Sequence, residues 1–574
     1  MRDIISFRTK ILSLLIVFVG VILISKLYLV QIVYSETFKA KADHQYVYRG
    51  SQVFDRGNIY LTQKDGSLVG AATLKSGFTL VINPKILAEA GTSSEAIYEK
   101  INKIYPIEKE EFLRKALLVS DPYEEIAKKV PEEEGKKISD LGIQGVILEK
   151  DRWRYYPGGN LASHVLGFVG FKGDVLAGRY GIERYYDDVL SRNEKKAYNN
   201  FFAQIFSNVK TSIQKGTYQG EGDIVLTIEP SVQQHLENIL QKVKKEYSAD
   251  SAGGIIMNPM NGEIYAMGVT PNFNPNEYNL EKYSEIFGNP IVENVYEMGS
   301  IIKPLTVASG LDSGVVTAQT TYDDKGSVTL DGKTFSNYDG KARGIVPMQE
   351  VLSQSLNTGV SFVVTRLGNK QFADYMRNFG LGEETGIDLP GELPGLIKNL
   401  ESTRDIEYAT ASFGQGIALT PIETVRALSA LGNGGTLITP HVVREIRYKI
   451  GISKPISYDA DKRIIKRETS EEITRMLSVV VDKALLGGKI KMEHYTLAAK
   501  TGTAQISKGG GGGYYEDRYL HSFFGYLPAY NPKFIVFFYM YYPKVVRFAS
   551  ETLTMPFSET AKFLINYYNI PPDR

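Results

Sequence analysis

The chain has 574 residues, of which 43% are hydrophobic, 23% charged and 11% aromatic, with Lys+Arg 66 against Asp+Glu 65 for a formal net charge of +1. That length and apolar content supply a sizeable core over more than one domain, which excludes a fibrous or wholly disordered protein, and the charge balance excludes bulk attraction to nucleic acid. There are no cysteines, so disulfides, zinc–thiolate sites, iron–sulfur clusters and thiol nucleophiles are all removed, while the compartment stays open.

Residues 11–33 read ILSLLIVFVGVILISKLYLVQIV, with Lys26 the one charge. About 20 apolar residues span a bilayer, so this segment predicts a transmembrane anchor. A cleaved signal peptide would have a shorter apolar region followed by small residues, whereas apolar residues continue after Lys26. Arg2, Arg8 and Lys10, opposed by Asp3 alone, predict that residues 1–10 are cytoplasmic and the rest extracytoplasmic. Residues 34–222 have mixed composition with acidic clusters and predict a polar-surfaced module. Within it, residues 77–83 alternate as a strand does, and 94–150 contain helix-like stretches.

From Asp223 the pattern is more regular. DIVLTIE reads as a strand, and Pro230 opens an amphipathic helix with Val232, Leu236, Ile239, Leu240 and Val243 on one face. Two apolar runs joined through Pro259-Met260-Asn261-Gly262 predict a hairpin. Residues 521–527 and 534–542 are strand candidates, and residues 558–567 predict a closing helix. Gly509 to Gly513, five consecutive glycines, read as a loop between strands. Strands at both ends of residues 223–574 with helices between them predict an α+β domain whose terminal segments share one antiparallel sheet.

The six histidines, His44, His164, His235, His441, His494 and His521, form no close HxxxH pair, which disfavours a zinc enzyme, and no G-x-S-x-G elbow occurs. A serine activated by a neutral lysine remains. In Ser300-Ile301-Ile302-Lys303 the spacing places the lysine amine on the serine's helix face, and burial or nearby positive charge would lower its pKa. S-x-x-K alone is weak, because Ser207/Lys210 and Ser212/Lys215 match too. Ser355-Leu356-Asn357 and then Lys500-Thr501-Gly502-Thr503 follow Ser300 in one domain, whereas Ser191-Arg192-Asn193 and Lys75-Ser76-Gly77 fall outside that order. Taken singly, Ser300 reads as a helix N-cap, Ser355 and Asn357 as turn residues and Lys500 as an exposed strand charge. Taken together, the triple is the signature of penicillin-recognising serine enzymes.

The similarity extends over nearly the whole chain, which resembles a class B penicillin-binding protein, a membrane-anchored peptidoglycan D,D-transpeptidase, leaning to the division or sporulation type. Tyr296-Glu297-Met298-Gly299-Ser300 with Lys303-Pro304 is similar to the family's nucleophile segment, with Met298 where proline is usual. Ser355 to Gly359, Phe413-Gly414-Gln415-Gly416 with Thr420-Pro421, and Lys500 to Gln505 are similar to further family stretches. Arg49-Gly50, Asp55-Arg56, Arg154 to Pro157, Ala162 with His164, and Gly181-Ile182-Glu183 resemble the family's pedestal, although Gly57-Asn58 stand in the reverse of the usual order.

The resemblance implies an antiparallel sheet flanked by helices, with an all-helical subdomain, behind a mixed α/β pedestal and one transmembrane helix. The implied boundaries are tail 1–10, anchor 11–33, pedestal 34–222 and transpeptidase domain 223–574. It implies Ser300 as nucleophile and Lys303 as base. Backbone N–H groups of Ser300 and Thr503 would form the oxyanion hole, Ser355 would relay a proton, and Asn357 would orient Lys303 and the substrate amide. Lys500, Thr501, Gly502 and Thr503 would form the carboxylate-binding strand. Arg154 and His164 are expected as structural hydrogen-bonders. It implies no cofactor or metal. The implied partners are D-Ala-D-Ala stem peptides with an amine acceptor, β-lactams, the cell membrane and a SEDS-type glycan polymerase, with no nucleic acid. The rival readings are a D,D-carboxypeptidase or β-lactamase-like hydrolase, a penicillin sensor, and a divisome scaffold.

Overall fold

The computed structural model describes Lys26 and residues 54–173, 175–192, 220–456, 458, 462–509, 513–544 and 546–574. Apart from Lys26, the segment 11–33 expected to be an anchor lies outside the described residues, as do the S-x-x-K matches at 207–215. Among the described residues no helix is long and apolar enough to cross a membrane.

The chain divides into two compact units, one holding residues 76–153 and the other 56–75 with 154–574. The stretch 34–222 therefore contributes to both. In the first unit, residues 76–82 of the strand Leu68–Ile82 pair antiparallel with Glu124–Pro131, Phe78 opposite Val130 and Leu80 opposite Ala127. Helices Ser94–Asn102, Lys109–Ala116 and Glu132–Ser139 complete a core of Leu80, Ile82, Leu87, Ile97, Ile101, Phe112, Val130 and Ile138. The strand expected at 77–83 is present.

The second unit is built on β1 (Ser251–Met257), β2 (Ile264–Thr270), β3 (Ala498–Ser507), β4 (Tyr514–Leu527) and β5 (Phe534–Tyr541). They form one antiparallel sheet in the order β3-β4-β5-β1-β2, so the hairpin near the start of residues 223–574 shares a sheet with the C-terminal strands as the pattern predicts, whereas the first strand, Gly222–Leu226, pairs with Val443–Tyr448 in another sheet. Its helices include α1 (Pro230–Glu246), α2 (Lys303–Asp312), α3 (Asn357–Leu367), α4 (Arg467–Val479) and α5 (Thr554–Tyr568). The apolar face of α1, from Val232 to Val243, is buried as expected.

Strand periodicity sorts β4 between the two layers. Phe523 packs on Phe557 of α5 with ring centroids 4.8 Å apart. Tyr526, of opposite parity, shares a 2.8 Å hydrogen bond with Thr474 of α4. The sequence placed β4 at 521–527. It starts earlier because Tyr514 to Leu520, lacking an apolar run, still pair with β3, Tyr514 opposite Ser507. α5 likewise starts before residue 558, with Pro556 accommodated in its first turn.

Between β2 and β3 the chain is rich in helices, but the expectation of an all-helical subdomain needs correction. Among the described residues two separate β-ribbons occur there, Thr321–Asp324 with Gly344–Pro347 and Ser327–Leu330 with Lys333–Ser336, besides the strands Val443–Tyr448 and Ser453–Pro455. The second ribbon closes through Asp331 and Gly332 at φ 47 and φ 74. An Asp-Gly pair with both residues at positive φ matches the twist of a two-residue hairpin.

In this unit Glu183, fully buried, accepts from Arg56 Nε at 2.6 Å and Arg154 Nε at 2.5 Å, and Tyr156 Oη bonds it at 3.1 Å. Burial pushes its pKa up, and the two guanidiniums more than reverse this and hold it below the usual carboxylate value. Arg154 also donates to the Gly57 carbonyl at 2.7 Å, and His164 Nε2 bonds the Ile286 carbonyl at 3.1 Å. Arg154 and His164 thus make the structural hydrogen bonds expected of them, while Arg49 and Gly50 lie outside the described residues.

Candidate active site

The chain approaches the site through Gly299, whose φ is +65. A Cβ there would lie 2.8 Å from the Thr503 carbonyl oxygen, so only glycine brings this turn so close to β3. Ser300 follows in a 3-10 turn, Gly299–Ile302, that runs into α2 with Pro304 in its first turn. Ser300 therefore stands at a helix start, as the spacing required.

Lys303 is 1% exposed. Both hydrogen bonds of its amine go to Ser355, at 2.5 Å to the carbonyl and 3.1 Å to Oγ. Burial, and after it the charge of Lys500, holds its pKa well below lysine's ordinary value. Lys500, 2% exposed on β3, donates to Ser355 Oγ at 3.0 Å and to the Thr501 carbonyl at 3.1 Å. Its pKa falls to about 7 through burial. Lys500 is thus not the exposed strand charge that it resembles when read singly.

Ser355 has φ +56. A non-glycine residue in the left-handed region costs of order 1–3 kcal/mol and persists where its surroundings over-determine it. Here the strained turn offers both Ser355 oxygens to lysines. Asn357 opens α3, and the free N–H groups at that helix start are met from outside the helix. Asn337 Oδ1 accepts from Asn357 N at 2.9 Å and Thr358 N at 3.3 Å. The Asn337 amide donates to both oxygens of Asp324, at 3.1 and 3.0 Å, and Thr358 Oγ1 donates to Asp324 at 2.7 Å. The Asn357 side-chain amide, expected to orient Lys303, donates to the Ser336 carbonyl at 2.7 Å. Asn337 and Asp324 carry no motif, and sequence reasoning passed over them.

β3 is an edge strand of its sheet, leaving one row of backbone groups unpaired along its rim. A Cβ on Gly502 would lie 2.3 Å from Ser522 Oγ and 2.6 Å from the Met298 carbonyl oxygen. The glycine therefore serves close packing behind the nucleophile rather than the cleft. Ser522 Oγ donates to that carbonyl at 2.8 Å, and Thr503 Oγ1 accepts from Ala549 N at 3.1 Å. Glu297 Oε1 accepts from Gly416 N at 3.2 Å and Tyr514 Oη at 3.0 Å, and burial pushes its pKa up to about 6. A cleft of about 700 Å³ is lined by Ser300, Ser355, Asn357, Lys500, Thr501 and Thr503 among others. The fold thus gathers three separated sequence motifs around one hollow, with Lys303 buried behind its wall.

Comparison with known proteins agrees with this arrangement. The family model described as the penicillin binding protein transpeptidase domain matches residues 252–557, and that of the penicillin-binding protein dimerisation domain matches 54–219. Stage V sporulation protein D of Bacillus subtilis is 32% identical over 501 residues, covering 86% of this chain and 74% of that protein. The chain belongs to the class B penicillin-binding proteins. Another relative, the peptidoglycan D,D-transpeptidase FtsI of Buchnera aphidicola, is 25% identical over 599 residues, 99% of this chain and 96% of its own. Two solved structures share the fold of this penicillin-binding protein. A peptidoglycan synthetase from Bifidobacterium adolescentis superposes with a TM-score of 0.67 at 20% identity, covering 91% of this chain and 97% of its own. Penicillin binding protein 3 of Mycobacterium tuberculosis, complexed with aztreonam, gives 0.64 at 24% identity over 74% and 92%.

Proposed function

We propose that this penicillin-binding protein cross-links peptidoglycan stem peptides through an acyl-enzyme on Ser300. The observation that carries the reading is the meeting of Lys303 and Lys500 on Ser355 Oγ, at 3.1 and 3.0 Å, in the cleft that Ser300 lines. A buried lysine without a carboxylate partner favours its neutral form and is a base at neutral pH. Lys303 takes the Ser300 proton as Oγ attacks the carbonyl of the D-Ala-D-Ala bond. Backbone N–H groups of Ser300 and Thr503 stabilise the tetrahedral oxyanion, where charge develops only on the way to reaction. Ser355, bonded to both lysines, passes the proton to the departing D-alanine amine. The terminal carboxylate lies against Lys500, Thr501 and Thr503, Gly502 keeps the strand close behind Ser300, and Asn357 orients the substrate amide. Penicillins, which carry an equivalent carboxylate, acylate Ser300. An amine of a second stem peptide then attacks the ester, forms the cross-link and frees Ser300.

The rest of the reading rests on the sequence. The tail 1–10, anchor 11–33, pedestal 34–222 and transpeptidase domain 223–574 place the enzyme in the cytoplasmic membrane by a single pass, with its catalytic domain outside. The pedestal recruits a glycan polymerase of the SEDS type, and the role is in division or sporulation.

Labelling with a fluorescent penicillin tests the core of the reading. Wild type is expected to label and Ser300→Ala not to. Labelling that survives the substitution, or an adduct mapped by mass spectrometry to another serine, overturns the assignment.

A further inference from the structure

None of the side chains lining the cleft among the described residues is acidic, and two that line it are cationic, Lys500 and Arg547. Under the transpeptidase reading, on which this inference rests, Lys500 takes the terminal carboxylate, and Arg547 has no role. Among the described residues no carboxylate pairs with it. Its guanidinium lies over the rings of Tyr519 and Phe548, 5.7 and 5.4 Å from their centroids, a contact that holds the planar group while leaving its edge N–H donors free.

The backbone that carries Arg547 is pinned on both sides. Its carbonyl bonds His521 Nε2 at 2.9 Å, and Ala549 N donates to Thr503 Oγ1 at 3.1 Å. Thr503 and His521 are themselves register partners across β3 and β4, and so are Gln505 and Tyr519. The arginine is thus tied to the stretch of β3 from Thr503 to Gln505.

That stretch has a direction. With the terminal carboxylate at Lys500 and Thr501 and the scissile carbonyl at the Thr503 N–H, the donor peptide continues along the open rim of β3 towards Gln505. Thr503 and Gln505 are about 7 Å apart at the strand rise, so the residue preceding D-Ala-D-Ala falls beside Tyr519 and under Arg547. We propose that Arg547 binds a second carboxylate of the donor, carried on the side chain of the residue that precedes D-Ala-D-Ala. The fork of the guanidinium suits a carboxylate bidentately, which gives specificity as well as affinity. Arg547 is then a specificity-determining residue that selects donors by charge.

The test uses the full-length chain and two synthetic donors ending in D-Ala-D-Ala, alike except that the preceding side chain ends in a free carboxylate or its carboxamide. Wild type is expected to prefer the carboxylate donor about tenfold in kcat/KM. In Arg547→Ala the ratio falls to about one, and Arg547→Lys, which keeps the charge without the fork, holds an intermediate ratio. A wild-type ratio near one, or a preference that persists in Arg547→Ala, overturns the proposal. Acylation of wild type by benzylpenicillin is read in parallel. Its absence would fault the transpeptidase reading itself, whereas acylation with no donor preference faults the role of Arg547 alone.

Discussion

Lys303 is bonded twice to Ser355, through the carbonyl oxygen at 2.5 Å and the hydroxyl at 3.1 Å. A lysine so fixed has little rotamer freedom, and with Lys500 also on that hydroxyl at 3.0 Å its positive form is repelled as well as desolvated. Lys303→Met keeps the volume and removes the amine. It is expected to slow acylation by penicillin about 10²–10⁴-fold, the usual contribution of a general base. Thermal unfolding should show equal or higher stability, because a lysine that must give up its proton on folding is gone. Acylation at the wild-type rate would dismiss Lys303 as the base.

Ser355 allows backbone and hydroxyl to be separated. Ser355→Ala and Ser355→Gly both lose the hydroxyl and should lose turnover alike. They should differ in stability, because at φ +56 the alanine is strained and the glycine is not. The glycine variant is expected to unfold about 1 kcal/mol later than the alanine variant in a denaturant titration. The reverse order would mean that strain at this turn is not what its backbone angle implies.

The two lysines set opposite limbs of a pH profile. The rate rises with pH as Lys303 loses its proton. It falls above about 7 as Lys500, lowered to that value by burial, loses the charge that holds a carboxylate. Replacing Lys500 with arginine, which stays charged, should remove the falling limb from kcat/KM. Stability moves differently. Above pH 7 the unfolded chain binds more protons than the folded one at Lys500, so the protein should gain stability from pH 7 to pH 9, and Lys500→Met should lessen that gain while leaving the part due to Lys303. A wild-type stability that falls across this window would contradict the sign.

Glu183 lies between two buried guanidiniums, Arg56 Nε and Arg154 Nε at 2.6 and 2.5 Å. Glu183→Gln keeps the shape, strips Arg154 of its counter-charge and leaves Arg56 with Asp187 alone, 2.7 Å from Nη1. A loss of about 3–5 kcal/mol is expected in urea unfolding, as for other buried pairs broken from one side. Its folded-state pKa lies below the ordinary value, so the stability it contributes is present above that ordinary value and is lost as pH falls through the lowered one.

Asn337, the residue that follows the second ribbon, caps α3 from twenty positions upstream of Asn357. Asn337→Ala leaves two helix-start N–H groups and the buried Asp324 short of partners. It is expected to cost about 1–3 kcal/mol, with a drop in penicillin acylation as the Ser355 turn loosens. Unchanged acylation would show that the turn is held without this cap.

The sequence carried most of the site because its residues act through short fixed spacings. Ser300 to Lys303 is a helix turn, and Lys500 to Thr503 is a strand. The core faces of α1 and β5 were legible for the same reason, since apolar residues recur at the period of the element. What escaped depends on contacts between distant segments. Asn337 becomes a cap only once two β-ribbons are folded, and its Asp331-Gly332 turn was a local signal that went unread. Arg547 gains meaning only from the register of β3 and β4, which sets Tyr519 opposite Gln505.

The division of the chain into units has a topological consequence. The larger unit is entered at Arg56, left at Lys75 and resumed at Arg154, so residues 76–153 are an insertion within it and not an N-terminal extension. At the two exit points Lys75 Nζ lies 5.1 Å from the centre of the Tyr155 ring, and the severed ends of the host would need only a short bridge. An excision of 76–153 closed by a few glycines leaves every residue of the cleft on one uninterrupted scaffold, and it separates what the insert does from what the catalytic strand does.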